Sequence, residues 1–191
     1  MGRLAGWAAS DLKPLRQGEL DGLCGLYAVI NALRLGMAET APLTNARSRE
    51  LAGLAIDRMY RWRRPSSNIS CGMDPKHQRA LANLIAQHVS GVEADVVFER
   101  CTLDRHASID DAFSWVEQSL QQGKPVLALL SGAHDHFTVI RGITDRSLVL
   151  FDSAGRTRLS RAHCGITSGR HRIVPTGLMR IAIHPTRHPK T

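Results

Sequence analysis

Two residues more than a hundred positions apart carry the chemistry of this chain. Cys24 stands at the mouth of an apolar helical pattern, in Gln17-Gly18-Glu19-Leu20-Asp21-Gly22-Leu23-Cys24-Gly25-Leu26-Tyr27-Ala28-Val29-Ile30-Asn31-Ala32-Leu33. A helix start offers free backbone N–H groups and a partial positive charge, which stabilise a thiolate and the oxyanion formed when it attacks a carbonyl. The later segment Ala133-His134-Asp135-His136-Phe137-Thr138-Val139-Ile140-Arg141-Gly142-Ile143 supplies an imidazole, and Leu148-Val149-Leu150-Phe151-Asp152-Ser153 supplies a carboxylate. A cysteine hydrolase needs a thiol, a base, a group that orients the base and donors for the oxyanion. Cys24, His136 and Asp152 fill the first three places. The Cys24 amide and the side chain of Gln17, on the incoming arm, fill the fourth.

Other readings of these residues stand beside that one. His134, on the same strand face as His136, is the rival base. The two together could form half of a metal site, but no third ligand follows at suitable spacing. Neither a metal nor a cofactor is expected. Cysteine is a common core residue, so Cys24 taken alone would read as packing. Cys71 and Cys101 read as packing or surface residues. His163 and Cys164 are neighbours, which in a strand point to opposite faces and make no dyad.

The elements that must position these groups follow from periodicity. Residues 1–20 read as an extended leading arm. A helix over about 23–35 would be capped by Asp21 and closed by Gly36, and its apolar residues on nearly every side predict burial all round. Thr44 or Asn45 opens a second helix to about Trp62, with Leu51, Leu54, Ala55 and Met59 as its stripe. Residues 64–73 read as a surface loop that could flank a cleft. Asp74-Pro75 opens a third helix, with Leu81, Leu84, Ile85 and His88 on one face until Gly91. A strand is expected at about 93–98. Ser108 and Asp111 form a capping box for a helix that ends before Gly123. Strands then follow at 125–130, 137–143, 148–151 and 178–183. Helices first and strands second predict an α+β fold with an antiparallel sheet.

The hairpin between His136 and Asp152 carries the hardest demand. A two-residue turn at Asp145-Arg146 pairs 143 with 148 and 152 with 139, which leaves Asp152 about 10 Å along the ladder from His136. A longer turn with a bulge near Gly142 would bring 136 opposite 152.

Composition bounds the remainder. The 191 residues, 43% of them apolar, suit one domain with a substantial core and no internal repeat. The chain has no run of about 18 apolar residues and no secretory signal, and Gly6 stands where a myristoylation motif wants Ser or Thr, so an intracellular, cytoplasmic setting, or delivery as an effector, is expected. Cys24, Cys71, Cys101 and Cys164 are irregularly spaced and expected to be free thiols. The net charge of +8 is concentrated in Arg58, Arg61, Arg63 and Arg64 around Tyr60 and Trp62, and in Arg156, Arg158, Arg161, Arg170 and Arg172. Arg187 and Lys190 extend it into a tail, 185–191, expected to be flexible. Basic residues beside aromatics can grip single-stranded nucleic acid, whereas cations at a helix C-terminus also arise from the dipole alone.

The strings Pro14-Leu15-Arg16-Gln17-Gly18 and Cys24-Gly25, followed by a helix, resemble the oxyanion glutamine and nucleophile of the papain-like cysteine peptidase superfamily. The segments from His136 to Ile143 and from Phe151 to Gly155 are similar to the His and Asp blocks of bacteriocin-processing peptidase domains attached to export transporters. The spacing between Gln17 and Cys24 is one residue longer than in papain. Gly25-Leu26-Tyr27 lacks the usual Trp, and Ser153 stands where the transporter peptidases have Pro. The resemblance implies a papain-like fold and an acyl-thioenzyme hydrolase with Cys24 as nucleophile, His136 as base and acid, Asp152 as its orienter and Gln17 as oxyanion donor. Its substrate would be a peptide, isopeptide or glutamine amide, and an amine acceptor would make it a transglutaminase or deamidase-type effector. A noncatalytic module whose Arg-rich surface binds nucleic acid or an acidic protein is the alternative.

Overall fold

A computed structural model describes residues 5–6, 12–18, 21–62, 65–104, 106–133 and 135–184. His134, Arg63, Arg64 and the tail at 185–191 lie outside the described residues. In chain order the elements are β1 (Ala5–Gly6), α1 (Cys24–Gly36), α2 (Asn45–Tyr60), α3 (Pro65–Ser70), α4 (Pro75–Val89), β2 (Asp95–Arg100) and α5 (Ile109–Gln121). There follow β3 (Val126–Gly132), β4 (His136–Ile143), β5 (Ser147–Leu150), β6 (Arg158–Ser160), β7 (Cys164–Gly165), β8 (His171–Ile173) and β9 (Met179–His184). The arrangement is the expected α+β order. The strands form one sheet with the sequence β2-β9-β3-β4-β5-β6, antiparallel apart from the short β7–β8 pair.

The sheet has a different apolar core on each face. Leu127, Phe137, Val139, Phe151, Met179 and Ile181 pack with α1, α2 and α4. Ala128, Leu130, Ile140, Ile143, Leu148 and Leu150 pack with α5. β4 is therefore covered on both sides, which is why its sequence is an apolar run rather than an alternation. Helix α1 is enclosed by α2, α4 and the sheet; even its Asn31 and Arg34 are buried.

Several local expectations are met at the atomic level. Thr44 accepts from the Arg47 amide and Asp74 from the His77 amide, each as the cap of its helix. Ser108 and Asp111 close a reciprocal capping box. Other expectations need correction. Asp21 does not cap α1: its Oδ1 accepts from the Leu23 amide and its Oδ2 from Gly18, so it folds the lead-in turn instead. Gly36 is the last residue of α1 and not a residue beyond it, with Met37 as the C-cap, and a Cβ on Gly36 would meet Ile183 Cδ1 of β9 at 2.6 Å. The loop at 64–73 contains the short helix α3. His88 faces solvent, and Val89 takes its place in the core. The strand placed at 93–98 begins two residues later, and the short β6, β7 and β8 have too few residues for a readable alternation.

Among the described residues no helix is long and apolar enough to cross a membrane. The four cysteines are free.

Candidate active site

Cys24 is the first residue of α1, and Leu23 before it carries no side-chain cap. The first amides of a helix lack intrahelical acceptors, so the Cys24 N–H is available to a ligand. Two glycines bring this helix start close to its neighbours. A Cβ on Gly22 would lie 2.4 Å from the Gly72 nitrogen, and the Gly22 amide donates to the Ile69 carbonyl at 2.6 Å. A Cβ on Gly25 would strike Met73 at 2.9 Å and Phe137 at 3.2 Å. The 69–73 segment thus forms one wall of a cleft in which Cys24 lies, as the turn-rich composition of that segment suggested. Across it stand Asp135, His136 and Phe137.

His136 begins β4 and Asp152 follows β5, and the hairpin between them is bulged. Ile143 pairs with Leu148 and Gly142 with Val149, but Ile140 pairs with Leu150, so Arg141 is the extra residue. The turn is closed by the Thr144 amide bonded to the Ser147 carbonyl. One inserted residue moves every later partner by one and so exchanges the two faces. Ile140 and Ile143, three apart, therefore share the α5 core, and the Phe151 amide bonds to the Val139 carbonyl at 2.8 Å. Continued one step, that register sets Asp152 across from Thr138, on the same face as His136. The expected bulge is present; with Ile143 still paired to Leu148, the expected longer turn and the placement of 136 directly opposite 152 are not. The two are diagonal neighbours, a separation that an imidazole and a carboxylate span together.

The contact they make is short and buried. Nε2 of His136 and Oδ1 of Asp152 are 2.7 Å apart, with the two residues 8% and 1% exposed. Oδ2 of Asp152 accepts from the amides of Ala154 and Arg156 at 3.0 and 3.1 Å. The carboxylate is thus locked by its own turn. Nε2 being engaged, Nδ1 is the ring nitrogen left for Cys24. Burial opposes charge on His136, but hydrogen bonds to Asp152 and Cys24 outweigh it and push the imidazole up to about 9. Burial likewise works against the Asp152 carboxylate, and the hydrogen bond to His136 overrides it, so its pKa falls below 3.8. Thr138, whose side chain is buried beside the carboxylate, acts in the same direction.

Gln17 reaches this cleft through contacts that its sequence neighbourhood only partly announces. Asn31, two turns into α1, clasps Leu15 by accepting from its amide at 2.8 Å and donating to its carbonyl at 3.1 Å. The Gln17 amide then donates to the Ser153 carbonyl at 3.1 Å, and Ser153 Oγ donates to Gln17 Oε1 at 3.4 Å. This fixes the side-chain amide with Nε2 toward the Asp21 carbonyl, 2.5 Å away, leaving one of its two N–H groups unengaged there. The arm that bears Gln17 and the turn that bears Asp152 are therefore stitched together beside Cys24. Asn31, Ser153 and Gln78, whose Nε2 donates to the Gly25 carbonyl at 3.4 Å, were not singled out by the sequence reading. Asn31 and Gln78 carried one signal, a polar residue on an otherwise apolar helical face.

The remaining candidates stand apart. Cys71 is exposed on the cleft rim, while Cys101 and Cys164 are partly buried and burial raises both their thiol pKa values. Of the first basic cluster, Arg58 and Arg61 are exposed at the C-terminal end of α2, and Trp62 is stacked on His77 with ring centroids 4.3 Å apart. Its indole face is therefore occupied. In the second cluster Arg161 lies over the Phe113 ring at 4.3 Å and donates to the Thr144 carbonyl.

Cys24, His136 and Gln17 line one cleft, and Asp152, outside its lining, is bonded to His136, so a thiol, an imidazole, a carboxylate and an amide donor are grouped together. That set defines a candidate cysteine-hydrolase site on an α+β scaffold. Comparison with protein-family models, with characterised proteins and with solved structures finds no match.

Proposed function

We propose that this chain is a cysteine hydrolase of papain-like architecture that cleaves a peptide, isopeptide or glutamine amide through an acyl-thioenzyme. The observation that carries the reading is His136 held between two partners, Asp152 at 2.7 Å on Nε2 and Cys24 on its other side. An imidazole in that position takes the thiol proton, gives it to the leaving amine, and then activates the water that releases the acyl group. Cys24 Sγ forms the bond to the carbonyl carbon. The developing oxyanion is met by the Cys24 amide and the unengaged N–H of Gln17 Nε2. The order of a nucleophile helix followed by a sheet that bears the base supports the papain-like assignment.

Thiolates react with iodoacetamide and thiols do not, so alkylation tests the pair directly. At pH 6, Cys24 is expected to alkylate faster than Cys71, Cys101 or Cys164, and His136→Ala is expected to slow it about tenfold or more. Hydrolysis of a fluorogenic peptide-amide library should fall by about 10³-fold or more in Cys24→Ala. Equal alkylation of Cys24 with and without His136 across pH 5 to 9 would remove the basis for catalysis. Transfer of the acyl group to added amine in preference to water would assign transamidation instead.

A further inference from the structure

A second concavity, larger than the cleft at Cys24, lies behind the turn that carries Asp152. Lys13 and Arg16 reach it from the arm, Arg141 from the bulge of β4, and Arg156 from the turn itself. Four cations from three separate segments share one hollow. The acid in its wall is Asp152, and both of its oxygens are already engaged, Oδ1 by His136 and Oδ2 by two backbone amides. Among the described residues none of the four cations has a carboxylate at ion-pair distance. Arg141 Nε is moreover buried and has no hydrogen-bond partner among the described residues. The bulge that brings Asp152 to His136 is what turns this arginine toward the hollow.

Like charges gathered without counter-charges are unfavourable, and an anion relieves them. The type of anion follows from the donors. The amides of Ala154 and Arg156 are consumed by Asp152, and that of Gly155 points to the Asp152 carbonyl at 3.4 Å, so the turn offers no nest of N–H groups for a single phosphate. Recognition falls to guanidinium forks, which suit phosphate oxygens, spread over several positions. The one aromatic residue of the lining, Phe151, is 2% exposed, so no ring face is available for base stacking as a single-stranded nucleic acid would require. Gly155, at φ +93°, allows the Arg16 guanidinium to lie against the turn, since a Cβ there would be 2.5 Å from its nitrogens.

We propose that this hollow binds a small polyphosphate anion, of the kind carried by a nucleoside triphosphate or an inositol polyphosphate. The assignment stands independently of whether Cys24 is a nucleophile.

Calorimetric titration of the full chain with tripolyphosphate in 150 mM salt tests it. Binding at one site per chain is expected, at least about tenfold weaker for orthophosphate. The affinity should fall about tenfold in Arg141→Gln and in Arg156→Gln, and severalfold in the exposed Lys13→Gln, whose replacement leaves the core untouched, while Arg58→Gln changes nothing. Titrations with ATP and with inositol hexakisphosphate distinguish the two sources, and tighter binding of either than of tripolyphosphate supports the site. Absence of saturable binding overturns it. So does an affinity unchanged in Lys13→Gln and Arg141→Gln, or displacement of tripolyphosphate by a single-stranded oligonucleotide whose own affinity depends on Arg58 and Arg61.

Discussion

At the residue scale the buried His136–Asp152 pair ties protonation to stability. The folded imidazole holds its proton up to about 9, against 6.5 in a free side chain. Its pKa is raised on folding, so the stabilisation is complete below pH 6.5 and is lost as pH rises toward 9. Asp152 is shifted the other way, below 3.8; its contribution is present above that value and disappears as pH falls through the folded pKa. Urea unfolding between pH 5 and 10 should therefore show the wild type losing up to about 3 kcal/mol relative to His136→Gln across the alkaline limb, at no more than about 1.4 kcal/mol per pH unit. A constant difference between the two would contradict the shift. Asp152→Ala should be the more damaging change, because it strands the amides of Ala154 and Arg156 as well as the imidazole. A loss of about 2–4 kcal/mol in the urea midpoint series is expected.

At the scale of elements, the site depends on Arg141 standing outside the β4–β5 ladder. With Arg141 paired in a regular ladder, Asp152 would stand opposite Val139, on the face away from His136; deleting Arg141 instead leaves Ile140 across from Leu150 and Asp152 across from Thr138 without a bulge. The deletion variant should keep both its far-UV circular dichroism and the alkaline dependence of stability; loss of that dependence would show that more than strand register unites the pair. The helix start is equally constrained. Gly22→Ala places a methyl against the Gly72 backbone, which no side-chain rotation relieves, and should cost about 1–3 kcal/mol and slow Cys24 alkylation. The caps at Thr44, Asp74 and Ser108 were legible because each is a local pattern within four residues. The role of Asp21 was misread for the opposite reason. A residue before a helix can cap it or fold the lead-in, and contact with Gly18 and Leu23 selects the second.

At the scale of the whole molecule, α1 is the axis between the two halves of the chain. Its last turn meets β9 at Gly36, where the nearest atom to an added Cβ is Ile183 Cδ1 at 2.6 Å and the next ones stand at 3.5 Å. Gly36→Ala should therefore destabilise by about 1–3 kcal/mol in urea unfolding, and Ile183→Val, which removes that one methyl, should cancel most of the loss in the double variant. Additive losses would mean that the helix and strand are not in contact there. The sequence by itself determined the order of the longer helices and strands, the caps of α2, α4 and α5, the α+β class and the identity of Cys24, His136, Asp152 and Gln17 as candidates, because periodicity, capping and residue chemistry act over a few neighbours. It also determined that a regular two-residue hairpin would keep His136 and Asp152 apart, since strand register is countable, although the longer turn it asked for beside the bulge is not formed. Only the tertiary structure decided that Asp152 lies diagonal to His136, that Asn31 and Ser153 carry the arm of Gln17 to the cleft, and that Lys13, Arg16, Arg141 and Arg156 share one hollow. Each of those facts joins segments far apart in the chain, up to the 143 positions between Lys13 and Arg156, whose meeting is fixed by sheet register and core packing rather than by any local preference.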